Sequence, residues 1–386
     1  MTVLYYTQTY YLDAAIETIR SLDSANLDLH LVIEITPDSK CSNIINIASL
    51  ENADAVTSFT ALLGKETAAN FKPYFKAVKS VQFLVFKKKK AFSIDALSAL
   101  YRFSNLLDKI KPNVIHFDTV TLRSLLILPK IFGLKKVITI HDPIPHIGES
   151  TWKSRMTNRV YFSLANHFIF YSNFAKKQFE IQYPFCTQSR TVIQFQPYTY
   201  NQLFLKSMNA SIDPYILFFG RISYYKGVDL FISIIPEILK RFPNQHFIIA
   251  GRTEGYEINE EMIKKYKNNI LFINEYIDSS DLVSLIQHAK FLVCPYRDAS
   301  QSGVLMTAMA IGKPVIATNV GAFPEYIQDG YNGLIAEPNQ DSILDRVLQY
   351  LEFDRYKEAE TYVNNTFSQS IAASNQNLIA QTYFNE

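Results

Sequence analysis

Short apolar runs alternate with amphipathic stretches along most of this chain. Strands are predicted in the first half at Val3–Tyr6, Leu29–Ile35, Val114–Phe117, Lys136–Ile140, His167–Tyr171 and Thr191–Phe195. Between them, apolar spacing of three and four residues predicts helices at Tyr11–Leu22, Ala96–Asp108 and Ser154–Ala165. Residues 40–95 mix apolar and basic positions and predict one or two helices with irregular segments. The second half alternates more cleanly. Strands are predicted at Tyr215–Phe219, His246–Ala250, Asn269–Phe272, Phe291–Cys294 and Pro314–Ala317. Helices are predicted at Val228–Arg241, Glu260–Lys267, Ser279–Gln287, Ser302–Ile311, Phe323–Gln328 and Asp341–Leu351. Gly or Pro stands at most junctions, as strand-to-helix turns require. The pattern is that of an α/β protein built from βαβ units around parallel sheets.

A break in the periodicity falls at residues 200–213, where Asn, Gln, Ser and Asp-Pro replace apolar positions. The 386 residues suit two domains at roughly 100–200 residues each. The expected division is 1–205, 206–366 and a C-terminal helix, 367–386, that returns to the N-terminal domain. Two doubly wound domains of this kind are expected to face a central cleft at the carboxyl ends of their strands, where such folds bind ligands.

Composition adds three constraints. Residues 1–200 hold 23 Lys and Arg against 15 Asp and Glu, a net +8, whereas the remainder is at −6. That asymmetry points to an anionic partner for the first domain. The cysteines, Cys41, Cys186 and Cys294, are few and distant, which argues for reduced thiols in a cytoplasmic protein rather than a disulfide framework or zinc site. Neither a leader-like N-terminus nor a charge-free run of about 18 apolar residues is present, so no membrane span is expected.

Two segments carry chemistry. The first, Ile216 to Leu230, reads as a strand ending at Gly220, a loop bearing Arg221 and Lys226, and a helix beginning after Gly227. Glycine lets the backbone approach a ligand, and a helix N-terminus offers unpaired N–H groups. Arg221 can grip a phosphate bidentately and Lys226 adds a point charge, so the pattern predicts a pyrophosphate site. The bland reading is two solvated cations in a turn. In the second segment, Phe291 to Thr318, Gln301, Ser302 and Gly303 fall at a helix N-terminus, where backbone N–H groups can hold anionic oxygen or where Ser302 simply caps the helix.

Together these segments resemble glycosyltransferase family four, the retaining GT-B enzymes that use nucleotide-activated sugars. The resemblance rests on Gly220-Arg221, Lys226-Gly227, the run Gln301-Ser302-Gly303 through Ala308 to Thr318, Gly321, Pro324-Glu325, Asp329-Gly330 and Asn332-Gly333-Leu334. It covers residues 215–340 closely and the first half loosely. It implies a GT-B fold of two Rossmann-like domains, the second binding a nucleotide-diphosphate sugar with UDP or GDP as the nucleotide. By resemblance Arg221 and Lys226 contact the diphosphate beside Gly220. Gln301, Ser302 and Gly303 cradle phosphate and sugar, and Tyr276 with Ile277 flanks the base. Many family members carry two glutamates with seven residues between them on this loop and helix. Ala299 and Thr307 stand at those places here. Thr307 can offer the ribose a single hydroxyl.

In the first half, Val137 to His146 is a strand ending in His141-Asp142-Pro143. His141 resembles the family's acceptor-side histidine; an imidazole there can orient an acceptor hydroxyl or take its proton, with Asp142 as its orienter. His116 reads as structural. Thr7 to Tyr10 replace the usual Gly-rich loop after the first strand. Lys72, Lys76 and Lys79 with the run Phe83 to Lys90 suggest contact with anionic lipid headgroups or a solvated loop, with RNA a lesser alternative.

The expected function is therefore a retaining hexosyl-type glycosyltransferase of surface polysaccharide or glycolipid assembly. It would need no metal and no cofactor beyond its donor, and would act on a sugar or lipid-linked glycan acceptor. Its expected place is cytoplasmic, at the inner face of the plasma membrane, without nucleic acid as partner. The alternative is a catalytically silent GT-B subunit that binds nucleotide or serves assembly.

Overall fold

The computed structural model describes residues 1–384 except 24, 43, 145–151, 208–212 and 367–370. Part of the expected boundary segment, the Pro145-His146 end of the His141 loop and the start of the expected C-terminal helix thus lie outside the described residues. The chain divides into two units, Met1–Gln194 with Ile371–Glu386, and Phe195–Ser370.

Among the described residues the first unit contains ten strands. They are β1 (Thr2–Gln8), β2 (Asp28–Ile35), β3 (Cys41–Ser42), β4 (Ile45–Asn46), β5 (Val56–Ser58), β6 (Val78–Val85), β7 (Val114–Phe117), β8 (Lys135–Ile140), β9 (His167–Phe170) and β10 (Ser189–Val192). Eight of them form one sheet in the order β10-β9-β8-β7-β1-β2-β6-β5, while β3 and β4 pair separately. Neighbours are parallel except the edge strand β5, which joins β6 antiparallel. The central strands β1, β2, β7, β8 and β9 are mostly buried, as in a parallel sheet covered by helices on both faces. The helix Ile94–Ile110 shows the local logic: Ser93 caps it by accepting from the Ala96 N–H at 3.1 Å, and Ala96, Ala99, Leu100, Phe103 and Leu107 are buried at helical spacing.

The second unit holds β11 (Tyr215–Phe219), β12 (His246–Ala250), β13 (Ile270–Ile273), β14 (Ala289–Cys294), β15 (Val315–Thr318) and β16 (Gly333–Ala336). All are parallel, in the order β13-β12-β11-β14-β15-β16. In both units the order reverses beside the first strand, between β1 and β7 and between β11 and β14. These are the switch points at which neighbouring loops diverge and leave room for a ligand.

Most predicted elements are present within a residue or two. The run Val78–Val85, taken as part of an irregular segment, is instead a full strand, because its neighbour β2 supplies a ladder that sequence alone does not reveal. Phe83 and Phe86 are consequently buried core residues, not apolar company for the surface lysines. The strand expected at Thr191–Phe195 sits earlier, at Ser189–Val192. The C-terminal helix Ile371–Phe384 is tied to its unit by Asn375, whose side chain meets both the N–H and the carbonyl of Gln194 at 2.9 and 2.7 Å.

Candidate active site

In the second unit the residues after β11 and β14 meet at the switch point. Gly220 ends β11 with φ +113°, a conformation that favours glycine. A Cβ on Gly220 would lie 3.1 Å from Val304 Cγ2 and 3.3 Å from Lys226 Nζ. One backbone position thus touches both the cationic loop and the first turn of the helix Gly303–Ala310. A short turn, Tyr224–Lys226, ends at Gly227 with φ +67°, where a Cβ would fall 1.9 Å from the Pro295 carbonyl oxygen. Only glycine lets these two loops approach so closely.

Lys226 is buried and donates from Nζ to the Tyr296 hydroxyl at 2.8 Å, with the ammonium 4.6 Å from the Tyr296 ring centroid. Burial lowers the Lys226 pKa to about 8, because the charged form loses hydration. Among the described residues no carboxylate lies within ion-pair distance of this ammonium. Arg221 is more exposed and forms an ion pair with Glu254 at 3.4 Å, a surface contact that an anion can outcompete. The Lys226 turn is held from outside by Arg297. Its guanidinium reaches both carboxylate oxygens of Asp229 at 2.8 and 2.6 Å and covers the Tyr224 ring at 4.4 Å. Its N–H donates to the Tyr225 carbonyl at 2.7 Å.

Ser302 caps the helix Gly303–Ala310, accepting from the Leu305 N–H at 3.3 Å. The first-turn N–H groups of Gly303 and Val304 have no carbonyl four residues earlier within the helix, as at any helix start. Gln301 is half-buried just before the cap. Thr307 is buried, and its hydroxyl donates to the Gly303 carbonyl at 2.8 Å. That bond uses its one proton, so only oxygen lone pairs remain to meet a ligand hydroxyl. Ala299 is buried too, its carbonyl accepting from the Ala322 N–H at 3.2 Å. Tyr276 is exposed and Ile277 half-buried, in the turn after the edge strand β13. The structure therefore brings Gly220, Lys226 and Val304 beside Gly303 together. It sets Tyr276 and Ile277 two strands away at the sheet edge.

The first unit carries a second constellation at its own switch point. Asp118 directly follows β7 and is wholly buried. Its Oδ2 accepts from the Thr7 hydroxyl at 2.8 Å, and its Oδ1 lies 3.2 Å from the Tyr5 hydroxyl and 3.0 Å from His141 Nε2. Burial disfavours the charged imidazole of His141, but the charge and hydrogen bond of Asp118 outweigh it and raise the pKa; Asp142 and Asp13 add smaller contributions in the same direction. The Tyr11 ring stacks on the imidazole at 4.2 Å. The carboxylate that directly holds His141 is thus Asp118. Asp142, exposed beside it, acts through space. A cavity of about 140 Å³ lies against His141, Asp118, Asp142, Tyr11 and Asn158. His116 is buried between the Tyr383 and Thr139 hydroxyls at 2.6 and 2.7 Å, and burial lowers its pKa to about 3, so it is a neutral structural residue.

Sequence reading did not select Tyr296, Arg297 or Asp118. Each lies within three residues of a strand's carboxyl end beside a switch point, which is the one signal that could have drawn attention to them.

The fold is GT-B: two Rossmann-like units, the second with a cation-bearing, glycine-lined turn at its switch point. Residues 213–352 match the family model of the glycosyl transferases group 1. The match lies within the second unit. An uncharacterized glycosyltransferase of Methanocaldococcus jannaschii is 33% identical over 147 residues, which cover 36% of this chain and 37% of the relative. The lipopolysaccharide core biosynthesis mannosyltransferase LpsB of Rhizobium meliloti is 30% identical over 156 residues, 38% of this chain and 43% of that protein. The matches thus span less than half the length of these relatives. Over nearly the whole chain the fold is similar to sucrose-phosphate synthase from Thermosynechococcus elongatus, with TM-score 0.65 at 15% identity, covering 100% of this chain and 99% of that one. It is also similar to Anabaena HepE in complex with UDP and glucose, with TM-score 0.62 at 14% identity over 99% of each chain.

Proposed function

We propose that this protein transfers a sugar from a nucleoside-diphosphate sugar to an acceptor hydroxyl with retention of configuration. The observation that carries the reading is the buried Lys226 ammonium beside Gly220 and the first turn of the helix Gly303–Ala310. A buried cation without a carboxylate partner is costly unless an anion joins it. A diphosphate meets that need, and Arg221 can leave Glu254 to complete the grip. The HepE complex with UDP and glucose makes UDP the first nucleotide to test, with GDP second.

In the reaction the bond between the sugar's anomeric carbon and the diphosphate oxygen breaks, and a bond from that carbon to the acceptor oxygen forms. The acceptor proton passes to His141 or to the departing phosphate. Lys226, Arg221 and the N–H groups before Val304 stabilise the charge growing on the diphosphate, so these residues need no metal ion to do so. Gln301, Ser302 and Gly303 are assigned to the phosphate and sugar, Thr307 to a lone-pair contact with ribose, and Tyr276 with Ile277 to the base. His141, oriented by Asp118 and with Asp142 nearby, is assigned to the acceptor. The acceptor we favour is a sugar or lipid-linked glycan of surface polysaccharide or glycolipid assembly, met from the cytoplasmic side at an anionic membrane. The lipopolysaccharide role in the name of LpsB supports that choice.

A second reading is a silent nucleotide-binding subunit. It is favoured by the Thr307 hydroxyl being tied to Gly303 and by the alanine at 299. Isothermal titration with UDP-, GDP- and ADP-sugars, followed by turnover assays with those that bind, separates the two. Binding with turnover supports the transferase. Binding without turnover on any sugar or glycolipid acceptor supports the silent subunit, and no binding at all sinks both.

A further inference from the structure

Isolated exposed apolar side chains are normal on a soluble surface, but contiguous ones are not. Phe92, Ile94, Leu97 and Tyr101 are 60, 88, 57 and 67% exposed within ten residues of one another. Ile94, Leu97 and Tyr101 follow the i, i+3, i+7 spacing of one helix face, opposite the buried face of Ala96, Ala99, Leu100, Phe103 and Leu107. The helix Ile94–Ile110 is therefore apolar on two sides, and only one of them meets the core.

A cationic run is fastened to the start of the same helix. The Asp95 carboxylate accepts from the backbone N–H groups of Lys87 and Lys88 at 2.9 and 3.2 Å. Arg123 adds a second tie by donating to the Lys89 carbonyl at 2.6 Å. Segment 87–102 holds five cations, Lys87 to Lys90 and Arg102, against the single carboxylate of Asp95, which the backbone already occupies. Lys89 pairs with Asp38. Among the described residues, Lys88, Lys90 and Arg102 have no carboxylate within ion-pair distance.

We infer that this face, the loop 87–93 with the Ile94, Leu97 and Tyr101 stripe, docks on an anionic lipid bilayer. An interfacial helix needs an apolar stripe that enters the acyl boundary and cations that meet anionic headgroups, and both stand here on one tethered element. A membrane is favoured over a second copy of the chain because a surface with this excess of cations repels its own image. The inference deepens the membrane-side acceptor reading given above and rests on it for its biological sense, but its physics concerns binding alone.

The test is flotation of the full chain with vesicles of 70:30 phosphatidylcholine to phosphatidylglycerol, and with phosphatidylcholine alone. The wild type is expected to float with the anionic vesicles, and raised salt should release most of it. Ile94→Asp with Leu97→Asp, and separately Lys88→Glu with Lys90→Glu, should each weaken binding at least tenfold. Circular dichroism and Tm should stay unchanged, since these side chains are exposed. Failure of the wild type to float, or undiminished binding of the Ile94→Asp/Leu97→Asp variant, overturns the inference. So does a dimer in light scattering that this variant dissolves, which would give the face to a second copy. Titration of UDP-sugar without vesicles is run in parallel. Loss of flotation with intact nucleotide binding refutes the docking face and leaves the transferase reading standing, whereas flotation without nucleotide binding does the reverse.

Discussion

The Lys226 ammonium sits buried 2.8 Å from the Tyr296 hydroxyl, and a Cβ on Gly220 would press against it at 3.3 Å. Burial that lowers its pKa to about 8 means that below that pH the folded protein bears the cost of a desolvated charge. Function and stability should therefore separate at this residue. Lys226→Met is expected to leave the ligand-free Tm at pH 7 unchanged or higher, while lowering transfer by at least about tenfold, roughly 1.4 kcal/mol. Arg221→Ala should lower transfer by a similar factor. Scanning calorimetry and initial rates check both, and wild-type kinetics in the two variants would remove the diphosphate assignment.

Gly227 lets the Lys226 turn pass under Pro295. Gly227→Ala places a Cβ 1.9 Å from a carbonyl oxygen at φ +67°. Urea unfolding should show a loss of at least about 2 kcal/mol, from left-handed strain together with the clash. A midpoint equal to wild type would mean that the loops do not approach as closely as described.

Asp118 raises the pKa of His141, so the imidazole is protonated to a higher pH than an isolated histidine. If His141 accepts a proton, activity appears as pH rises through that pKa. Asp118→Asn removes the charge, lowers the pKa, and should move the acid limb of kcat/KM to lower pH while reducing kcat about tenfold or more. A limb that stays in place separates His141 from the proton transfer. His141→Ala should lower kcat with donor affinity nearly intact.

His116 titrates in the opposite sense. Its folded pKa, near 3, lies below the ordinary histidine value, so its contribution is present above pH 6.5 and is lost as pH falls from there toward 3. Tyr383→Phe removes one of its two hydroxyl partners and an anchor of the C-terminal helix. We expect a loss of about 1–3 kcal/mol in chemical denaturation at pH 7, the usual cost of a buried polar group left unpaired.

Local chemistry in the sequence determined the α/β class, most strands and helices of the second unit, and the loop that holds Gly220, Arg221 and Lys226. Those features depend on apolar period, glycine at turns and the short reach of consecutive residues, all of which can be read along the chain. Other features depend on pairings between segments far apart in sequence, which periodicity does not encode. The strand Val78–Val85 exists because β2 lies beside it, and that same pairing buries Phe83 and leaves the exposed apolar stripe to Ile94, Leu97 and Tyr101. Asp118 rather than Asp142 holds His141 because β7 and β8 are neighbours in the sheet. Tyr296 meets Lys226 because β14 crosses to the side of β11, 70 residues away in the chain.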